Sequence, residues 1–207
     1  MRVKHLGLLI ALGVPVAARA QATDTLSLTG RSSINIGIGL TGQRTANVGL
    51  SGVGTHTTGE VGSFGFVHWI HPEVAVTITA AALGTDANVV GGESHSAAVT
   101  PILFGASYSP LALAITPTIR PYVSVAAGPY FHTIADAGGI SGETTTVESV
   151  GGVRSAVGAN WFVSRHFLVS VEGDYHAVGH FSHEDVLTQK PSGFGMSFGF
   201  GFAWGGR

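Results

Sequence analysis

The stretch "GFGMSFGFGFAWGG", residues 193–206, constrains this chain more than any other. Side chains of an extended strand alternate between two faces. Phe194, Met196, Phe198, Phe200, Phe202 and Trp204 therefore share one face, and Gly193, Gly195, Ser197, Gly199, Gly201 and Ala203 share the other. A strand with one face in water alternates apolar with long polar or charged residues. Here one face is aromatic and the other nearly bare. The aromatic face is suited to lipid, and the bare face to a crowded interior.

The N-terminus points to export. "MRVKHLGLLIALGVPVAARA" opens with Arg2 and Lys4, continues as an apolar run from about Leu6 to Ala18, and ends Ala18-Arg19-Ala20. That is the layout of a cleaved secretory signal, too short to span a bilayer comfortably. The expected organisation is a signal peptide at 1–20 and one domain at 21–207. The chain has 31 Gly in 207 residues and 11% charged residues, where soluble domains carry about 25%. It is hydrophobic on average, yet past the signal no apolar run reaches the roughly 20 residues of a membrane helix. Only helices and closed barrels satisfy every backbone group in lipid. Zero cysteines argue against a disulfide-stapled scaffold. A formal charge of −2 with scattered Lys and Arg gives no reason to expect nucleic acid.

Strand-period alternation recurs along the chain. Segment one, about 31–42, sets Ile34, Ile36, Ile38 and Leu40 against Ser33, Asn35, Gly37 and Gly39. Segment three, about 73–84, sets Val74, Val76 and Ile78 against Ala75, Thr77 and Thr79. Segment five, about 119–132, sets Val123, Val125 and Phe131 against Tyr122, Ser124, Gly128 and Tyr130. Segment six, about 150–163, sets Val153, Val157 and Trp161 against Arg154, Gly158 and Asn160. Segment seven, about 166–181, sets Phe167, Val169, Val171 and Tyr175 against Ser170, Glu172, Asp174, His176 and His180. Segment eight is the closing stretch. Segments two (about 60–70) and four (about 98–109) are apolar on both faces, so alternation leaves their facing open. Connections after even segments are short ("HPE" at 71–73, "SR" at 164–165, a Pro-punctuated turn near 110–121). Those after odd segments, 42–59, 85–97, 133–149 and 182–192, are long, polar and rich in Gly, Ser and Thr. That asymmetry is the pattern of an all-β, eight-stranded antiparallel up-and-down transmembrane β-barrel with both ends on the periplasmic side.

"RPYVSVAAGPYF" (120–131), "GGVRSAVGANWFVSRHFLVSVEGDYH" (151–176) and the Phe-rich last strand resemble the eight-stranded outer-membrane β-barrel family, the small porin-like group that includes OmpA's membrane domain. The resemblance covers nearly the whole mature chain and rests on pattern and order. It implies placement in the cell outer membrane, contact with outer-membrane lipid, dependence on the barrel assembly machinery and a monomeric state. Members commonly finish on an aromatic residue, whereas Gly205, Gly206 and Arg207 follow Trp204 here.

An eight-stranded barrel is just wide enough for side chains to fill it. Arg154, Asn160, Glu172, Asp174 and His176 share the inward parity of segments six and seven and are expected to form a polar network in a filled lumen. An unpaired buried charge costs several kcal/mol, so Arg154 needs the two acids. The residue types suggest two sharper chemistries, and their spacing argues against both. His176, His180, His183 and Glu184, with His132, invite a metal, but His176 and His180 sit about 13 Å apart along a strand. Members that deacylate lipid A use a Ser/His/acid set. "YHAVGHFSHED" offers His180, Ser182, His183, Glu184 and Asp185, yet adjacent strand residues face opposite sides and the hydrolase motif is missing. The reading is a non-enzymatic integral outer-membrane protein with no catalytic residue, metal or cofactor, whose outer loops serve structural or binding roles. A conduit or binder for small apolar compounds is the alternative, and a lipid A-modifying hydrolase ranks below it.

Overall fold

In a computed structural model, residues 27–45, 56–84, 88–90, 93–137, 144–181, 189–190 and 192–206 are described, and the expected leader 1–20 lies outside them. Strands form where the alternation is found: β1 Arg31–Thr45, β2 His56–Trp69, β3 Val74–Gly84, β4 Glu93–Tyr108, β5 Ile119–Ala137, β6 Thr144–Phe162, β7 Phe167–Val178 and β8 Gly193–Gly205. Each pairs antiparallel with its neighbours in sequence, and β1 pairs with β8 from Arg31↔Gly205 to Thr41↔Gly195. The sheet therefore closes on itself. No helix among the described residues is long and apolar enough to cross a membrane.

The ladders fix how far the strands slide in closing. Following partners around the wall from Ser32 leads through His68, Val76, Ala106, Val125, Ser155 and Tyr175 to Phe194. The β1–β8 ladder, which includes Thr41↔Gly195, sets Phe194 beside Gly42, ten residues along β1 from the start. A stagger of this size in an eight-stranded barrel goes with strands tilted about 35–45° and an interior only wide enough for side chains.

The outward row is apolar. Ile36, Ile38, Val125, Val157, Phe198 and Phe200 are all exposed on the outer wall. Tyr108, Trp161 and Trp204 stand out at the end carrying the tight turns, while Tyr175 and Phe194, with ring centroids 4.8 Å apart, mark the opposite end. Aromatic girdles of this kind flank the apolar band of a membrane barrel.

The structure resolves the two strands whose facing alternation left open. In β2, Phe64 is exposed and Trp69 is buried. In β4, Phe104 is 59% exposed and Leu103 only 1%. Both strands are apolar on both faces because their inner sides supply apolar layers to the lumen.

Strand lengths differ from the sequence-based segments in both directions. Segment seven stops at Val178, three residues short, while segments five and six run on to Ile119–Ala137 and Thr144–Phe162. Parts of the expected loops 42–59, 85–97, 133–149 and 182–192 are strand. The β1–β2 ladder reaches Arg44↔His56 and the β5–β6 ladder reaches Asp136↔Thr144. Short strands Asn88–Val90 and Gln189–Lys190 pair with β4 and β1. A membrane strand needs about 9–11 residues, so the 19-residue β5 and β6 continue well beyond the apolar band. Polarity made "TTTVES" read as loop, but Thr and Val favour extended backbone whether or not lipid is adjacent.

Candidate functional site

The interior is layered. At the turn end Trp69 and Phe162, with ring centroids 6.1 Å apart, pack with Leu28, Ala75, Leu168 and Ala203. At the loop end Leu83, Val99, Leu103, Ala126, Tyr130 and Phe181 form a second apolar layer. Between them lies the polar network.

Its register is set by the reversal at 163–166. Ser164 Oγ accepts from the backbone N–H of His166 (3.2 Å) and Phe167 (3.1 Å), and Ser164 N–H donates to Phe167 O at 3.2 Å. Side-chain-to-backbone bonds of this type stabilise tight turns. The turn fixes β6 against β7 so that Arg154 lies directly opposite His176 and Asp174 lies opposite Ala156. The Arg154 guanidinium donates to Asp174 from Nε (2.9 Å) and Nη2 (2.7 Å), and also from Nη2 to Glu172. His176 Nε2 lies 3.5 Å from Asp174 Oδ2. All three charged side chains are nearly buried, and pairing one forked donor with two acids offsets the cost of taking them out of water.

Two tyrosines of β5 complete the network; their parity places them on the inner face without joining them to it. Tyr122 OH donates to Glu172 at 2.7 Å, and Tyr130 OH bonds His176 Nδ1 at 2.8 Å. Both partners are on β7, so each ring must cross β6. The rings lie where side chains at Gly158 and Gly152 would stand. Small residues on β8 do the same for β1 and β7: a Cβ at Gly195 would strike the Asp174 carboxylate, and one at Gly201 the Asn35 side chain. Asn160 occupies a lower level and is not bonded to Arg154, Glu172 or Asp174. It lines a cavity of about 110 Å³ together with Ser63, Thr77, Thr79, Ser124 and Ser170. The lumen is thus filled at both apolar layers but holds a hydroxyl-lined chamber between them, large enough for several waters.

No protein-family model matches the sequence, and no curated protein matches it. Solved structures do. The chain is similar to the outer membrane protein OprG from Pseudomonas aeruginosa (13% identity, 86% of this chain and 97% of that one, TM-score 0.55). It is also similar to Neisserial surface protein A (11% identity, 84% and 96%, TM-score 0.54) and to Ail, the attachment invasion locus protein of Yersinia pestis (13% identity, 85% and 99%, TM-score 0.51). The fold is that of the eight-stranded outer-membrane β-barrels.

In this outer-membrane-type barrel two further arginines escaped the sequence reading. Arg120 is fully buried at the turn end and donates to Pro72 O (2.9 Å) and Ser109 O (3.3 Å). Arg31, also buried, donates to Arg165 O. Their inward parity with Tyr122 and Ser33 was the available signal. Of the histidines weighed for metal binding, His132 packs against Phe181 (4.9 Å between centroids), His176 is held by Tyr130, and His180 is exposed. Ser182, His183, Glu184 and Asp185 lie outside the described residues. Among the described residues no three His, Asp or Glu side chains are grouped to hold a metal.

Proposed function

We propose that this chain is a non-enzymatic, integral outer-membrane protein. On this reading it is exported by a signal peptide at 1–20, inserted as a monomer by the barrel assembly machinery, and kept closed to ions. Its turn end faces the periplasm, and its long ladders carry the binding surface outward. The observation that supports a closed barrel is the Arg154–Glu172–Asp174 cluster, which projects into the lumen from adjacent strands β6 and β7, with apolar layers containing Trp69 at the turn end and Leu103 at the loop end. An ion entering this path meets two layers without water-replacing ligands and a fixed guanidinium between them. Planar-bilayer recording of the purified protein tests it: little conductance is expected, and large steady single-channel currents would refute it. N-terminal sequencing of the mature protein should begin at Gln21, and lipid A mass analysis of expressing cells should be unchanged.

A second reading, a binder or conduit for small apolar compounds, draws on the wall around Pro101. The β3–β4 ladder skips Ala81 and Ala82, and the β4–β5 ladder skips Ile102 and Leu103. Proline lacks the N–H a ladder needs, and the interior behind these missing rungs is the apolar layer of Leu83, Val99 and Leu103. Uptake of a fluorescent apolar dye by protein-containing vesicles, compared with empty ones, distinguishes this reading from the closed barrel.

A further inference from the structure

The connection between β4 and β5 differs from a solvated turn. From Ser94 to Ile119 the sequence has no Lys, Arg, Asp or Glu. Leu111, Leu113 and Ile115 are all exposed, Ile115 at 70%, and the short 3₁₀ helix Leu111–Leu113 buries none of its residues. The backbone, by contrast, is tied at nearly every step. Leu111 N–H donates to the Glu73 carboxylate (2.6 Å), Leu113 N–H to Pro110 O (3.1 Å), Ala114 N–H to Leu111 O (3.1 Å) and Ile115 N–H to Ile119 O (3.1 Å). Thr116 Oγ1 accepts from Ile119 N–H at 3.0 Å, and Ser109 Oγ donates to Pro121 O at 2.7 Å. Polar groups are used internally and apolar side chains are held outward on a fixed frame. In water that arrangement is unfavourable.

The patch continues the lipid-facing wall: Tyr108 precedes it, and Ile119 at its far side pairs with Trp161, both Tyr108 and Trp161 being exposed aromatics of the turn-end girdle. We infer that residues 110–118 lie in the headgroup region of the periplasmic leaflet as a shallow apolar anchor, with Leu111, Leu113 and Ile115 inserted into lipid. Apolar side chains on an interfacial element bind at such a depth without spanning. The occupant of the patch is membrane lipid.

The inference rests on the reading that the strands span a bilayer, and the test separates the two. The chain has no cysteine, so single labels are unambiguous. Ile115→Cys, Phe200→Cys on the outer wall and Arg165→Cys on a polar turn each receive an environment-sensitive fluorophore in the full-length protein. Each is reconstituted in phosphatidylglycerol/phosphatidylethanolamine vesicles containing lipids spin-labelled at shallow or deep positions. Quenching at Phe200→Cys reports on the spanning strands, and its absence would overturn the membrane reading itself. With that label quenched, the anchor requires Ile115→Cys to be quenched by the shallow label about twofold more than Arg165→Cys. Equal, weak lipid quenching of the two turn labels, with iodide in water quenching both, would overturn the anchor and leave the patch to a periplasmic protein.

Discussion

Replacing Arg154 by Ala removes the one guanidinium that neutralises Glu172 and Asp174 and leaves two carboxylates side by side on the inner face of β7 in a narrow lumen. Breaking a buried ion pair by deleting one partner costs about 3–5 kcal/mol. The neighbouring hydroxyl-lined chamber can hydrate the stranded acids, and Tyr122 still donates to Glu172, so the expected loss is shifted down from that range by roughly a kcal/mol, to about 2–4 kcal/mol. Urea unfolding of the detergent-refolded barrel, followed by tryptophan fluorescence, reads this as a shifted midpoint at unchanged slope. The compensating variant combines Arg154→Met, Glu172→Gln and Asp174→Asn, which removes the charges together. It should recover most of the loss, because the penalty lies in the unpaired acids and not in the missing contact. A loss below about 1 kcal/mol, the range of solvent-exposed pairs, or a compensating variant no more stable than Arg154→Ala, would refute the idea of a buried, mutually dependent charge cluster.

Phe198→Lys places a charge on the lipid face and should cost about 2–4 kcal/mol near the bilayer midplane in the same titration. Gly195→Ala drives a methyl group into the Asp174 carboxylate and should cost about 1–3 kcal/mol, whereas Gly151→Ala meets nothing within 4 Å and should stay within about 0.5 kcal/mol of the parent. Refolded protein should migrate differently on SDS gels before and after boiling, because a closed ladder resists detergent until heated.

The closing stretch made the fold legible: a strand with Phe on one side and Gly on the other has few environments, and lipid outside a crowded lumen is one. Facing failed at β2 and β4 because the lumen is not uniformly polar. Trp69, Val99 and Leu103 build apolar layers inside, so the two-residue rhythm has no polar phase there. Strand ends were misread where Thr-rich stretches such as 144–146 leave the membrane without leaving the ladder. Within the polar network, parity and a tight reversal grouped Arg154, Glu172, Asp174 and His176, since these sit on adjacent strands. Tyr122 and Tyr130 were not legible as members because they reach over β6 to β7, and nothing in a linear pattern shows that Gly158 and Gly152 leave the path open.

The β1–β8 ladder has a consequence for how the protein reaches this state. Arg31 and Gly205 are partners although nearly the whole chain separates them, so the contact that closes the sheet is also the one with the greatest loop-closure cost. The other ladders among the eight wall strands join strands that follow one another, and these hairpins can form as they are made, while the short strand Gln189–Lys190 meets β1 at the same seam as β8. Until the last strand docks, the sheet has two free edges, each with a lipid-facing apolar row and unpaired backbone groups. An incomplete barrel is thus a template for pairing with another unfinished copy. The seam between first and last strands sets both the final step of maturation and the step at which misassembly competes.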